Sequence, residues 1–393
     1  MSTTTAPQIA SREDAATLDV SVVIPCLNEA ESIEACVTAA HDALADGHYE
    51  GEVVVVNNGS TDGSGKLAAS AGARVVDEPR RGYGRAYLAG LDAARGRYIV
   101  MLDADMTYDV GELPRFVAAL DDGGDMAIGN RMKGIQPGAM PWMHQYIGNP
   151  VLTGLLNRLF GTEVEDAHCG MRAVRREALP RLDLRTTGME LASEMVIRAA
   201  KVGLDIRQFP IEYRPRHGES KLSTWTDGWR HLRFLLIHSP KHLFLVPGTL
   251  MAAMGALIMG VSLSQVMVLG RDWGIHAEIG GSLLLVLGVQ VTALGLCAMA
   301  YGVYFMGERD DWFARMRGRF RLEHGLLLGG AIGAIGLGSG AVLVGMWIDR
   351  GFGSFAEQQL AVLAATLTTA GAEIFFTSFL LSILGLRRPD LDA

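Results

Sequence analysis

The chain has 393 residues, 49% of them hydrophobic and 20% charged, with a formal net charge of −8. Of its 78 charged residues, 58 precede residue 246 and 20 follow it, so a polar half is joined to an apolar half. That split excludes a single soluble domain and a disordered chain, and a net negative chain without a long basic run is a poor nucleic-acid binder.

Residues 1–19 are small and polar and lack the apolar core of a signal peptide. They read as a disordered tail, with the amino-terminal half expected on the cytoplasmic side. From 20 to about 215 the pattern alternates. Strands are expected over 20–25, 52–57, 74–76 and 97–103, and helices over 31–45, 63–71 and 85–94. This predicts an α/β, Rossmann-like domain over 20–221 with a mostly parallel sheet, whose ligands bind beyond the carboxyl ends of the strands. Residues 222–240 follow, with Trp225, Trp229, Leu232 and Leu236 at helical spacing and Asp227, Arg230, His231 and Arg233 on the polar positions. An amphipathic helix is expected there, lying in the membrane interface plane.

The rest, 246–386, holds four long apolar segments at about 246–270, 279–306, 325–348 and 358–386. The first three contain no charged residue and the fourth contains only Glu373. Each is long enough to cross a hydrocarbon core of ~30 Å. The 307–324 loop carries Arg309, Arg315, Arg317, Arg319 and Arg321, the other two short loops carry only Arg271 and Arg350, and the tail carries Arg387 and Arg388. The expectation is a multi-pass protein of the cell membrane with the catalytic domain and both termini cytoplasmic. Cys26, Cys36, Cys169 and Cys297 show neither metal-ligand spacing nor a disulfide framework, and Cys169 reads as a small buried residue.

The strongest chemical signal is Asp103-Ala104-Asp105 at the end of the strand 98–102. Two carboxylates at such a place need a cation, and hard oxygen ligands suit magnesium or manganese with diphosphate oxygens. Around it lie Pro25-x-x-Asn28-Glu29, Asn57-Asn58-Gly59-Ser60-Thr61-Asp62, Arg81-Gly82-x-Gly84 and Gly129-Asn130-Arg131. Further on come Asp166-x-x-Cys169-Gly170-x-Arg172 and Gly218-Glu219-Ser220-Lys221. In this order over 20–240 the set resembles the family-two glycosyltransferases of GT-A fold. It is most similar to the branch of dolichyl-phosphate mannosyl- and glucosyltransferases and bacterial polyprenyl-phosphate glycosyltransferases.

The resemblance implies the following roles. Pro25, Asn28, Glu29, Asn58, Asp62, Arg81 and Gly82 would bind the nucleotide-sugar, together with Asp103 and Arg131. Asp103 and Asp105 would hold Mg2+ or Mn2+, with Thr107 where some members place a further ligand. Arg131 and Arg216 would meet phosphates and count with the two aspartates as the catalytic set, with Arg214 kept open beside Arg216. Arg216, Ser220 and Lys221 would bind the acceptor phosphate, and Asp166, Arg172, Glu190 and Glu194 are further candidates. The implied reaction is inverting transfer of a hexose from a UDP-, GDP- or dTDP-sugar to a polyprenyl phosphate, dolichyl or undecaprenyl, on the cytoplasmic face. Asn57-Asn58, where the family more often carries two aspartates, leaves the base open. The rivals are a glycolipid synthase using a lipid hydroxyl with Glu190 or Glu194 as base, a processive polysaccharide synthase, and a non-enzymatic membrane scaffold. No Gln-x-x-Arg-Trp motif supports the processive class. Oligomeric state is left open.

Overall fold

The computed structural model describes residues 18–216, 224–268, 270, 272–305, 310–319, 321–352 and 357–385. Most of the expected tail, Ser220, Lys221, Arg271, Arg309, Arg387 and Arg388 therefore lie outside the described residues. The chain divides into two compact units, Met1–Leu235 and Leu236–Ala393.

The first unit is built on β1 (Val20–Cys26), α1 (Ile33–Asp46), β2 (Gly51–Asn57), α2 (Ser64–Ser70), β3 (Arg74–Asp77), α3 (Tyr83–Ala93) and β4 (Tyr98–Met101). It continues with α4 (Leu113–Asp121), β5 (Met126–Asn130), α5 (Asn149–Phe160), β6 (Arg172–Arg175), α6 (Leu179–Leu182), α7 (Leu191–Lys201), β7 (Ile206–Pro210) and α8 (Thr224–Ile237). The seven strands lie in the order β3-β2-β1-β4-β6-β5-β7. β1 pairs parallel with β2 and β4, and β5 parallel with β7, while β6 runs antiparallel to both β4 and β5. Val22, Val23 and Ile24 of β1 and Val53 to Val56 of β2 are fully buried, as unbroken β-branched runs are in a sheet covered on both faces.

The sequence pattern marks the first four strands and not the last three. β5 to β7 are short, and β6 is rich in arginine, so neither period nor composition announces it. The α3 helix starts at Tyr83 rather than 85, which puts Tyr83 and Tyr87 one turn apart on the site side. α8 differs from the expectation in the face it buries. Leu235 and His231, the latter assigned to the polar face, enter the core of this unit, while Trp229 is 61% exposed.

The second unit contains α9 (Val246–Ser264), α10 (Ile275–Phe305), α11 (Asp311–Arg319), α12 (Leu322–Asp349) and α13 (Gln358–Gly385). A π-helical turn at Lys241–Leu245 extends α9, so the four long apolar helices run over Lys241–Ser264, Ile275–Phe305, Leu322–Asp349 and Gln358–Gly385. With 24 to 31 residues each, they reach roughly 36–46 Å at ~1.5 Å per residue. The first stops at Ser264, short of the expected 270, and the second starts early enough to include Glu278, which is buried in its first turn. The arginine-rich connection folds partly as α11. Glu373 lies within α13 with Oε2 enclosed and without a hydrogen-bond partner among the described residues, and nothing in the structure assigns it a role.

Candidate active site

The site forms where β1, β2 and β4 end. After β1, Asn28 takes a left-handed backbone (φ +52°), which asparagine tolerates. This turn ties to the loop after β2 through a set of hydrogen bonds. Asn28 N donates to Ser60 Oγ at 3.0 Å, and Thr61 N donates to Asn28 Oδ1 at 2.8 Å. Glu29 N donates to Ser64 Oγ at 3.0 Å, and Ala30 N to Asp62 Oδ2 at 3.0 Å. Asp62 also accepts from the Ser64 amide and hydroxyl. Burial pushes its carboxyl up, but the hydrogen bonds from Ser64 and Ala30 outweigh this and hold it below the usual range. Asp62 thus shapes the loop pair that carries Asn28 and Glu29.

Asn58 is committed in the same way. It is buried, donates to the Glu78 carbonyl at 2.8 Å and the Arg80 carbonyl at 2.9 Å, and accepts from Gly82 N at 2.8 Å. Two donors and an acceptor of its amide are spent on holding residues 78–82, which places Arg81 and Gly82, of which Arg81 is exposed. Gly84 is needed for a close approach, because a β-carbon there would run into the backbone of residues 186–188.

The two aspartates after β4 are held differently. Asp103 Oδ1 accepts from Tyr83 OH at 2.9 Å and Tyr87 OH at 3.2 Å. Burial first, and then the neighbouring Asp105 charge, push its carboxyl up to about 6 despite the two tyrosines. Asp105 Oδ1 accepts from Thr107 N at 3.1 Å and Thr107 Oγ1 at 2.6 Å. That turn forces Met106 into a left-handed conformation (φ +60°), the kind of backbone strain that accumulates at working sites. A β-carbon on Gly170 would collide with Asp103 Oδ2, so only glycine lets that loop pass. Its amide donates to Tyr108 OH at 2.7 Å.

These carboxylates fit a hard divalent cation, which would relieve the repulsion that raises Asp103. Thr107 Oγ1 donates its hydrogen to Asp105 Oδ1, which holds the hydroxyl oxygen beside the two aspartates. Among the described residues no group of three or more His, Cys, Asp and Glu side chains comes together, so the other positions on an ion fall to donor oxygens and water.

Arg216 completes this side of the cleft. Its Nη2 lies 2.8 Å from Glu29 Oε1 and its Nη1 3.4 Å from Asp105 Oδ2. Arg214 instead pairs with Asp109 at 2.5 Å. Between the two arginines considered for a phosphate, Arg216 is the one gathered with Glu29 and Asp105.

Arg131 is 7% exposed and grips Asp166 with two bonds, Nε to Oδ2 at 2.7 Å and Nη2 to Oδ1 at 2.9 Å. Its guanidinium also sits 5.2 Å from the centre of the Tyr213 ring. Burial pushes the Asp166 carboxyl up, but the Arg131 charge and bonds prevail and keep it below the usual range. Arg172 is fully buried and donates to the carbonyls of Cys169 (2.7 Å), Ala192 (2.6 Å) and Ala167 (2.7 Å). It is a clamp on the 166–170 loop. Cys169 is buried, its thiol pushed up to about 12 by burial, which removes it as a nucleophile.

Of the two candidate bases, Glu194 is buried and spent on structure. It accepts from Arg185 N at 3.0 Å and Thr186 N at 2.8 Å, with Arg198 at 3.9 Å. Glu190 stands at the N-cap position of α7, makes no side-chain cap bond there and is half-buried. Sequence reasoning missed Tyr83, Tyr87 and Tyr108 beside the aspartates. A signal was present in the first two, aromatic residues four apart directly after Arg81-Gly82.

A mostly parallel sheet with paired carboxylates and arginines at its carboxyl edge, in a chain with four membrane-length helices among the described residues, defines a membrane glycosyltransferase of GT-A-like fold. The profile of glycosyl transferase family 2 matches residues 21–182, and that of the glycosyltransferase family 2 C-terminal transmembrane region matches 297–385. The chain belongs to glycosyltransferase family 2 and is an enzyme of that class. The low-salt glycan biosynthesis hexosyltransferase Agl6 of Haloferax volcanii is 40% identical over 93% of this chain and 89% of its own length. A dolichyl-phosphate hexose transferase of the same organism is 37% identical over 53% of this chain and 89% of its own. The polyprenol monophosphomannose synthase of Mycolicibacterium smegmatis is 33% identical over 51% and 80%.

Proposed function

We propose that the enzyme transfers a hexose from a nucleoside-diphosphate sugar to a polyprenyl phosphate at the cytoplasmic face of the cell membrane. The carrying observation is the cluster of Asp103, Asp105, Glu29 and Arg216 at the carboxyl edge of the sheet, where a diphosphate can meet a cation and an arginine together. Relatives named for dolichyl-phosphate and polyprenol acceptors support the lipid. So does the outer face of the segment around α5, where Trp142, Tyr146, Ile147 and Val151 are exposed as suits a lipid surface. The arginines of α11 and its flank support the cytoplasmic placement.

In this reading Asp103 and Asp105 would hold a magnesium or manganese ion, which when bound would supply charge compensation for the donor diphosphate and the leaving nucleoside diphosphate. Glu29, Asn28 and the Asp62-ordered loop face the nucleoside, Arg131 stands near the donor phosphates, and Arg216 neutralises phosphate charge so that donor and acceptor anions can approach. An acceptor phosphate oxygen attacks the anomeric carbon as the bond to the diphosphate oxygen breaks, which inverts an α-linked donor to a β-linked product. A phosphate has a second pKa near ~6 and is already an oxyanion at neutral pH, so no base is required. The commitment of Glu194 to backbone amides supports that economy.

Purified enzyme given radiolabelled UDP-, GDP- and dTDP-hexoses, with undecaprenyl phosphate or diacylglycerol, tests the reading. Label should enter the lipid phase with the phosphate acceptor alone. Label in diacylglycerol, lost on Glu190→Gln, would transfer the assignment to a hydroxyl acceptor.

A further inference from the structure

We propose that Arg216 holds the place of the cation in the donor-free enzyme, so that the Asp103–Asp105 centre accepts a divalent ion well only when a diphosphate arrives with it. The inference rests on the metal reading above and concerns how that site is guarded.

The geometry singles out one oxygen on each aspartate. Asp103 Oδ1 is taken by Tyr83 and Tyr87, and Asp105 Oδ1 by the amide and hydroxyl of Thr107. The second oxygen of Asp105 is the one left to ligate, and it is the one that Arg216 faces at 3.4 Å. The same guanidinium reaches Glu29 Oε1 at 2.8 Å, bridging the turn after β1 to the turn after β4. A fixed positive charge at that distance from a ligating oxygen repels an incoming divalent ion.

The arginine is also seated imperfectly. Its Nε is enclosed and has no hydrogen-bond partner among the described residues, and its Nη1 contact is long. A guanidinium gains from a bidentate phosphate what this seat does not give it. Arg131 differs: both Nε and Nη2 are satisfied by Asp166, so it has no such reason to move. When a diphosphate enters, Arg216 can exchange two carboxylates for phosphate oxygens. The exchange releases Asp105 to the ion and Glu29 to the nucleoside in one movement. Metal and donor then bind as a unit, and the enzyme does not collect free metal ions.

The test measures metal binding without turnover. Full-length protein in detergent is titrated with Mn2+ in the absence of any nucleotide, and free Mn2+ is read by electron paramagnetic resonance. Arg216→Gln should bind Mn2+ about tenfold or more tighter than the unaltered enzyme, as expected for removing a unit charge a few Å from the ion. Arg115→Gln, which removes an arginine paired with Glu112, should change nothing. Adding Asp105→Asn to Arg216→Gln should abolish the gain. Arg216→Met keeps the apolar stem and replaces the glutamine variant if that one does not fold, as judged by its thermal transition. If removing the Arg216 charge leaves Mn2+ affinity unchanged or weaker, the place-holding role is overturned, while the metal centre is judged separately by whether transfer needs the ion. If the gain persists in the double variant, the ion sits elsewhere and both readings fall.

Discussion

In the catalytic unit Arg131, Asp166, Arg172 and Glu194 are all buried, and each is answered by a named partner: Arg131 by Asp166, Arg172 by three carbonyls, Glu194 by two amides. In the membrane unit the closest contacts run through residues with nothing to answer. Gly248 and Gly255 of α9 meet Gly288 and Gly281 of α10, and Gly329 and Gly336 of α12 meet α13 near Gly371 and Ala364. Polar contacts between those helices include Ser282 to Thr366 at 2.6 Å and Gln359 Nε2 to Ser262 Oγ at 3.0 Å. The solvent explains the contrast. Where water is the alternative, burying a charge is tolerable only with a dedicated partner. Where lipid is the alternative, apolar contact gives no hydrophobic gain, and helices associate through close backbone packing at small residues. The site residues described above accordingly lie in the first unit, and the second supplies four helices of membrane-spanning length among the described residues.

Four experiments break or sharpen this comparison. The largest effect is expected from Asp166→Asn, which leaves the Arg131 guanidinium buried without its counter-charge. A loss of about 3–5 kcal/mol should appear in denaturant unfolding of the catalytic unit. A loss below about 1 kcal/mol would mean that the pair is not dry. Next is Asp105→Asn, which should lower the rate of transfer on the order of 10²–10³-fold in a detergent assay while the unfolding transition stays in place. Activity retained in that variant would remove the metal assignment. On the membrane side, Gly288→Leu forces a side chain against Ala252 and Gly248 and should cost ~1–3 kcal/mol in unfolding of the helical bundle. Donor binding by the catalytic unit should not change, and a matching loss of donor affinity would contradict the division of labour.

The smallest effect is a pH dependence. His168 and His231 face each other with ring centres 4.7 Å apart, and both reach Ser193 Oγ, at 3.4 and 3.2 Å. Burial, and then repulsion from His231, hold the His168 imidazole down at about 3. The unfolded chain therefore takes up a proton near pH ~6.5 that the folded one refuses. The stability from this residue is complete above pH ~6.5 and is lost as pH falls from there towards 3, by at most about 1.4 kcal/mol per pH unit. Unfolding midpoints at pH 7.5 and 5 should differ less in His168→Asn than in the unaltered enzyme. Equal slopes would show that the imidazole protonates freely in the fold.

What was legible in the amino-acid sequence was what neighbouring residues record. The β-branched runs of β1, β2 and β4 announce buried parallel strands, and long apolar stretches with at most one charged residue announce α9, α10, α12 and α13. The ordered motifs gave the family and the positions of Asp103, Asp105, Arg131 and Arg216. The sequence could not divide those residues by task, because a task depends on partners far along the chain. Asn58, Arg172 and Glu194 read as binding or catalytic candidates until the fold brought backbone amides and carbonyls to them. The antiparallel β6 was invisible, since direction in a sheet is set by connections and not by composition. His231 looked like a surface residue by helical period, and packing against the unit buried it. The pairing of Arg216 with Glu29 spans 187 positions, a distance over which sequence pattern carries no information and only the folded sheet decides who meets whom.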